Sequence, residues 1–168
     1  MKYAPINPSD LHFYLGRYGI KKENFPIMGF EGSGIVYHAD DPSLKGKTVS
    51  VLANKTNGTY GEYICSNLDE VIVWPKESKL NEQEISMCMV NPLSVLGMVN
   101  LIKKAGVKTV LLSAATSNTS KMIAKLVKKN HPDFQVLGMS RSEKYDTDLL
   151  KLGYNRIFRM EQMDELKS

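Results

Sequence analysis

Hydrophobic and polar positions follow two different periods along this chain, and the change falls near residue 80. Before it, short strand-like runs are punctuated by Gly, Pro, Asn and Asp, the habit of all-β segments. The stretch 27–37 predicts a strand interrupted by Gly29, Gly32 and Gly34, and 47–52 predicts another after the Asp40-Asp41-Pro42-Ser43 turn. Asn57-Gly58 is a turn signal, after which 59–65 alternates as a strand would. A further strand over 71–74 stops at Pro75. Near the start, Pro8-Ser9-Asp10 predicts a short helical turn through Leu15, with Ser9 as its cap.

Beyond residue 80 the period lengthens. Asn81 can cap a helix whose first turn carries Glu82 and Glu84, acids favoured at the positive helix end. Its apolar positions run to about Lys104, with Pro92 imposing a kink or a fresh start, and Gly106 ends it. The expected order is then strand 109–115, helix 118–130, strand 134–139, helix 143–152, strand 156–158 and a last helical fragment over 161–167. Strands alternating with helices over short connections argue a parallel sheet with right-handed crossovers. The expected class is α/β, with an organisation that divides into 1–90 and 91–168.

Composition narrows the classes of function. With 168 residues, 42% hydrophobic, 24% charged and a mean hydropathy of −0.26, this is the make-up of a globular chain that can bury a core. No apolar run approaches the roughly 20 residues that span a bilayer, and residues 1–5 carry no signal or transit pattern, so no membrane insertion is expected. Cys65 and Cys88 fit no metal spacing and no disulfide framework; two reduced, partly buried thiols of a cytoplasmic or mitochondrial-matrix protein are expected. The net charge of +4 is uneven, −2 over 1–100 and +6 over 101–168. A basic second half suits an anion such as a nucleotide. Lys121, Lys125, Lys128 and Lys129 also fall at the spacing of a solvated helix face, so charge alone does not decide. Aromatic residues are not interleaved with Lys and Arg as a nucleic-acid platform requires.

The chemistry concentrates at the first strand-to-helix turn after residue 106. Phosphates bind at such turns because exposed N–H groups and the positive helix end converge there. Here the turn reads Ser113-Ala114-Ala115-Thr116-Ser117-Asn118-Thr119-Ser120, polar and small but without glycine. Ser117, Thr119 and Ser120 add hydroxyl donors, while a plain capped turn accounts for the same residues. The next strand ends in Ser140-Arg141-Ser142, where a dinucleotide fold places an acid for a ribose 2′-hydroxyl or an Arg for a 2′-phosphate. A guanidinium there favours NADP(H) over NAD(H), unless these residues only open the next helix. His12, His38 and His131 lie far apart with no ligand spacing, and no Gly-x-Ser-x-Gly elbow is present.

Taken together, several segments are similar to one family. They are Ala4-Pro5-Ile6-Asn7-Pro8-Ser9-Asp10, Gly16-Arg17-Tyr18-Gly19, Pro26-Ile27-Met28-Gly29-Phe30-Glu31-Gly32-Ser33-Gly34, Gly58-Thr59-Tyr60-Gly61-Glu62-Tyr63, Val90-Asn91-Pro92-Leu93-Ser94 and Ala114-Ala115-Thr116-Ser117-Asn118. In order and spacing the chain resembles the zinc-free branch of the medium-chain dehydrogenase/reductases, the quinone oxidoreductase and enoyl-thioester reductase group. The resemblance implies a GroES-like β-barrel part over 1–90, lacking its first strands, followed by the N-terminal half of a Rossmann NADP-binding domain over 91–168. It places the nicotinamide in the cleft between them. Asn7 and Phe30 stand where zinc-dependent relatives carry Cys and His, and neither can replace those ligands, so no metal is expected.

What the resemblance implies for function is an NADPH-dependent reductase passing hydride to a small-molecule quinone or activated C=C. Arg141 and Ser140 would meet the 2′-phosphate, and Ala115, Ser117, Asn118, Thr119 and Ser120 the diphosphate. Asn7, Asn91 and Ser94 would line the nicotinamide side. Tyr18 falls on the proton-donating tyrosine of the enoyl-thioester reductases, whereas in the quinone-reductase branch that residue only shapes the pocket. Ser120 stands where tight helix packing usually takes glycine. Relatives of this kind are about twice as long. Three expectations follow: a fragment of a normal enzyme, a truncated non-catalytic subunit of a larger assembly, or a chain completed by a homo-oligomer or a partner chain.

Overall fold

The computed structural model describes residues 1–19, 27–53 and 57–162, which divide into two units, Met1–Val90 and Asn91–Ser168. In the first, β1 (Glu31–Ile35), β2 (Thr48–Leu52) and β3 (Val71–Val73) form an antiparallel sheet in that order. Ser33 pairs with Ser50 across β1 and β2, and both are fully buried. Buried hydroxyls need partners, and theirs are the carbonyls of Glu82 (2.7 Å) and Ile85 (2.6 Å). These belong to the helix α2 (Glu82–Ser86), so that short helix is docked on the sheet by hydrogen bonds. Its cap is reciprocal: Asn81 Oδ1 accepts the Glu84 N–H and Glu84 Oε2 accepts the Asn81 N–H, both at 2.9 Å.

Three expectations about this unit are corrected. Of the strand over 27–37 only Glu31–Ile35 pairs, because Gly29 takes φ +94 and turns the chain out of the ladder. The alternating stretch 59–65 is a loop. Gly58, Thr59 and Tyr60 donate to the carbonyls of Ile27, Gly29 and Met28, a crossed order that no regular ladder allows. A Cβ on Gly58 would sit 1.9 Å from the Met28 carbonyl oxygen, so glycine is obligatory at that crossing. The first helix, α1 (Pro8–Tyr14), is capped by Asn7 and not by Ser9. Pro8 begins the helix because its missing N–H is one the first turn would leave unpaired. The fully buried Asp10 carboxylate then accepts the N–H groups of Asn7 (2.7 Å) and Phe30 (3.0 Å).

Glu31 is a second buried carboxylate, 1% exposed at the start of β1. Its Oε1 accepts from Asn7 Nδ2, and its Oε2 from the N–H groups of Met89 and Val90, all at 2.9 Å. Val90 is the first residue of α3 (Val90–Lys104), which resolves the alternative at Pro92 in favour of a fresh start. Helix α2 has ended before it, at Ser86.

In the second unit β4 (Thr109–Leu112), β5 (Gln135–Met139) and β6 (Arg156–Phe158) form a parallel sheet in sequential order. Helices α4 (Asn118–Asn130) and α5 (Asp146–Leu152) connect them. The core gathers Val95 and Val99 of α3, Val110 and Val136 of the strands, and Ile123, Ala124 and Val127 of α4. Leu149 and Tyr154 close it. Strand β4 ends three residues earlier than expected, and 143–152 splits into a 3-10 turn, Glu143–Tyr145, before α5. Lys128 leaves the solvated face expected of it, reaching the carbonyls of Phe134 and Pro132. Most of the helical fragment expected over 161–167 lies outside the described residues, as does Pro26 of the matching segments. Cys65 is exposed rather than partly buried, and Cys88 is half-buried with its thiol pushed up by burial and by the nearby Glu31 and Glu84 charges.

Replacing Glu31 by Gln keeps the shape but turns an acceptor of three N–H groups into a partial donor. A loss of roughly 2–3 kcal/mol is expected, seen as a lower urea midpoint for the first unit. A wild-type midpoint for Glu31→Gln would show that the three hydrogen bonds to Glu31 do not stabilise the first unit.

Candidate functional site

The strand-to-helix turn between β4 and α4 is held by its own side chains. The Ser117 hydroxyl oxygen accepts the Ser120 N–H at 3.2 Å, capping α4. Ser120, 8% exposed, donates its hydroxyl to the Ser113 carbonyl at 2.8 Å. The bulk that replaces a glycine at this position is therefore used to close the loop across its base. Thr119 Oγ1 donates to Asn91 Oδ1 at 3.2 Å, tying the start of α4 to the first turn of α3. Two of the three hydroxyls expected to meet a phosphate are thus already donating within the protein. What stays open is backbone: among the described residues no acceptor meets the N–H groups of Thr116, Asn118 and Thr119.

The loop is pinned against the neighbouring strand. Ala115, fully buried, donates its N–H to the Met139 carbonyl at 2.8 Å, so the turn lies one residue from Ser140 at the end of β5. Ser140 is buried and its hydroxyl donates to the Ser142 carbonyl at 3.0 Å, which makes it a turn-former at this end of the strand. Arg141 is exposed, and among the described residues nothing pairs with its guanidinium. Ala115, Ser117, Asn118, Thr119, Ser120, Asn91, Ser140 and Arg141 therefore stand along one end of the parallel sheet. Ser94 lies one helical turn beyond Asn91, exposed on α3.

Ala114 has φ 46, the one non-glycine residue at positive φ among those described. A side chain in the left-handed region costs about 1–2 kcal/mol, so the loop keeps a glycine-like backbone without the glycine.

Asn7 and Tyr18 belong to the first unit. Asn7 is committed to Glu31 through its amide nitrogen, and the Tyr18 ring lies 5.1 Å from that of Phe30, which also meets Phe13 edge-on at 5.5 Å. Both thus adjoin the consecutive residues Phe30 and Glu31. Tyr18 is 39% exposed. Tyr60, nearby in the chain's fold, donates to the Pro5 carbonyl at 2.9 Å; burial and then the Asp10 charge push its phenol up to about 12. Among the described residues no three His, Cys, Asp or Glu side chains come together as a cation site. No described helix is long and apolar enough to cross a membrane. A groove of about 710 Å³ opens in the first unit beside Trp74, Leu80 and Gln83 and contains none of the expected site residues.

Comparison with solved structures ties this arrangement to known ones. A Mesorhizobium loti protein assigned to the NADPH:quinone reductases superposes with a TM-score of 0.83 at 27% identity, covering 96% of this chain and 47% of its own. A Bacillus thuringiensis protein assigned likewise gives 0.80 at 26%, covering 98% and 51%. The fold is that of the zinc-free medium-chain dehydrogenase/reductases. This reductase fold, a GroES-like part followed by a Rossmann part, explains the change of period near residue 80. The YhdH oxidoreductase of Salmonella enterica, solved in complex with NADP, shares it with a TM-score of 0.75 at 21% identity, over 95% of this chain and 51% of its own. The chain spans about half the length of these proteins. No family model and no curated protein matches it.

Three contributors were not foreseen from the sequence. Glu31 was signalled by a lone acid in a strand of small residues, and Gly138 by a glycine inside an apolar strand. Tyr154 follows the helix-ending Gly153, which has φ +115 and marks where the chain turns back to the core.

Ala114→Gly is expected to raise the stability of the second unit by roughly 0.5–1 kcal/mol, relief of the left-handed strain exceeding the added chain entropy. Thermal unfolding checks it, and a destabilised variant would refute the strain. Burial also pushes the Tyr154 phenol from its usual 10 up to about 12. The folded state therefore holds that proton more tightly than the unfolded chain. Its stabilisation is whole below pH 10 and is lost as pH rises towards 12, so phenolate absorbance and loss of ellipticity should rise together over that window.

Proposed function

We propose that this chain is part of an NADPH-dependent, zinc-free reductase acting on a quinone or an activated C=C compound. The observation that carries the reading is that, among the described residues, open N–H groups at the start of α4 adjoin an Arg141 without a partner at the neighbouring strand end. Thr116, Asn118 and Thr119 can donate to a diphosphate from the backbone, where the helix dipole adds to the attraction. Arg141 offers a planar fork to a 2′-phosphate, with the Ser142 hydroxyl exposed beside it. No carboxylate stands at that strand end before Glu143 to accept a free ribose hydroxyl. The residues present therefore fit NADPH better than NADH.

When bound, NADPH supplies hydride; the chain supplies position and protons. Asn91, held by Thr119, and Ser94 are assigned to the nicotinamide side, together with Asn7. Tyr18 is assigned as the proton donor, its phenol carried on a ring fixed against Phe30. The exposed Tyr18 ring, backed by the buried Phe30, suits contact with a flat conjugated substrate. The solved structures assigned as NADPH:quinone reductases support the same class of acceptor.

Titration of the chain with NADPH and NADH tests the reading. NADPH is expected to bind at least tenfold tighter, and Arg141→Glu to weaken NADPH by about 10- to 100-fold while leaving NADH nearly unchanged. Equal affinities for the two cofactors, or an unaffected Arg141→Glu variant, would overturn it.

A further inference from the structure

The loop between β4 and α4 keeps an alanine in the left-handed region, and contacts from outside the loop add to its own side-chain bonds in holding it there. Two contacts converge on the next residue. The N–H of Ala115 is taken by Met139, and its carbonyl oxygen accepts the Tyr154 hydroxyl at 3.1 Å. Tyr154 is 3% exposed and lies 39 residues further along the chain, anchored by its own N–H to the Leu149 carbonyl at 3.3 Å. Its ring occupies the space over Gly138: a Cβ there would come within 2.8 Å of the ring and 2.9 Å of the Ala115 methyl. Strand, ring and loop form one close-packed stack that only glycine at 138 permits.

Peptide planarity turns this contact into a directional device. The carbonyl of Ala115 and the N–H of Thr116 share one plane and point opposite ways. Fixing the carbonyl on the buried Tyr154 hydroxyl therefore turns the Thr116 N–H away from the core, at an exposed residue. We infer that Tyr154 is a positioning residue of the diphosphate site: its hydroxyl sets the Ala115–Thr116 peptide plane and so aims the Thr116 N–H at the ligand. It takes over, from the core, the conformational control that glycines in the loop would otherwise allow the ligand to exert. The inference rests on the NADPH reading for its ligand, though not for its geometry.

Tyr154→Phe removes the hydroxyl and keeps the ring over Gly138. The dissociation constant for NADPH is expected to rise about 5- to 10-fold. Adenosine 2′-monophosphate, which reaches the Arg141 side without a diphosphate, should bind the variant and the wild type alike. In the protein without ligand, the Ala115 and Ser117 amides should exchange with solvent several-fold faster, while those of Val127 and Val136 stay protected and report an intact core. Unchanged NADPH affinity, an equal loss for both ligands, or unchanged Ala115 and Ser117 exchange would overturn the assignment. A wild-type chain that binds neither ligand would sink the cofactor reading instead, and the amides then decide the role of Tyr154 alone.

Discussion

A carboxylate taken out of water is the constraint on which the first unit is built. Burying Glu31 costs several kcal/mol unless its oxygens are satisfied, and three N–H donors at 2.9 Å satisfy them. Those donors come from three residues: the one that caps α1, the one just before α3, and the one that begins α3. One side chain on β1 thereby dictates where two helices start. Asp10 repeats the device, accepting from Asn7 and Phe30. Backbone and amide N–H groups donate to both acids, and such donors are directional where a cation is not. That directionality is what places Phe30, and with it the Tyr18 ring.

The second unit solves a different problem, building a tight strand-to-helix turn without glycine. Its hydroxyls do not point outward as a set of ready donors. Ser120 and Thr119 are used up inside, closing the loop and joining α4 to α3. What stays open among the described residues is backbone N–H groups, whose direction is set by peptide planes rather than by rotamers. Such donors lose little entropy on binding, because the chain that bears them is already ordered.

Legibility in the sequence followed the range of the interaction. Helix α4 and strand β6 have the bounds the pattern predicts, since a capping Ser117 and a short apolar run are local facts. The stretch 59–65 alternates like a strand yet is a loop, because pairing depends on a partner register that alternation cannot specify. Asn7 displaced Ser9 as cap because Pro8 suits the first helical position and Asp10 the third. The backbone of the candidate site, the turn 113–120 and the strand end at Arg141, was readable from its position after β4 and β5. Which of its hydroxyls were already engaged was not, and the Tyr154 contact joins residues 39 apart.

The serine-docked interface of α2 also sets a thermal character. Ser33 and Ser50 replace apolar surface by hydrogen bonds where the helix meets the sheet, while the second unit joins its layers through Val, Ile and Leu. Exposing apolar surface raises the heat capacity on unfolding and exposing polar surface lowers it. The contact between α2 and its sheet therefore adds less to the heat capacity of unfolding than an apolar contact of the same area would. Cooling, which weakens apolar contacts, accordingly leaves this hydrogen-bonded docking of α2 relatively favoured.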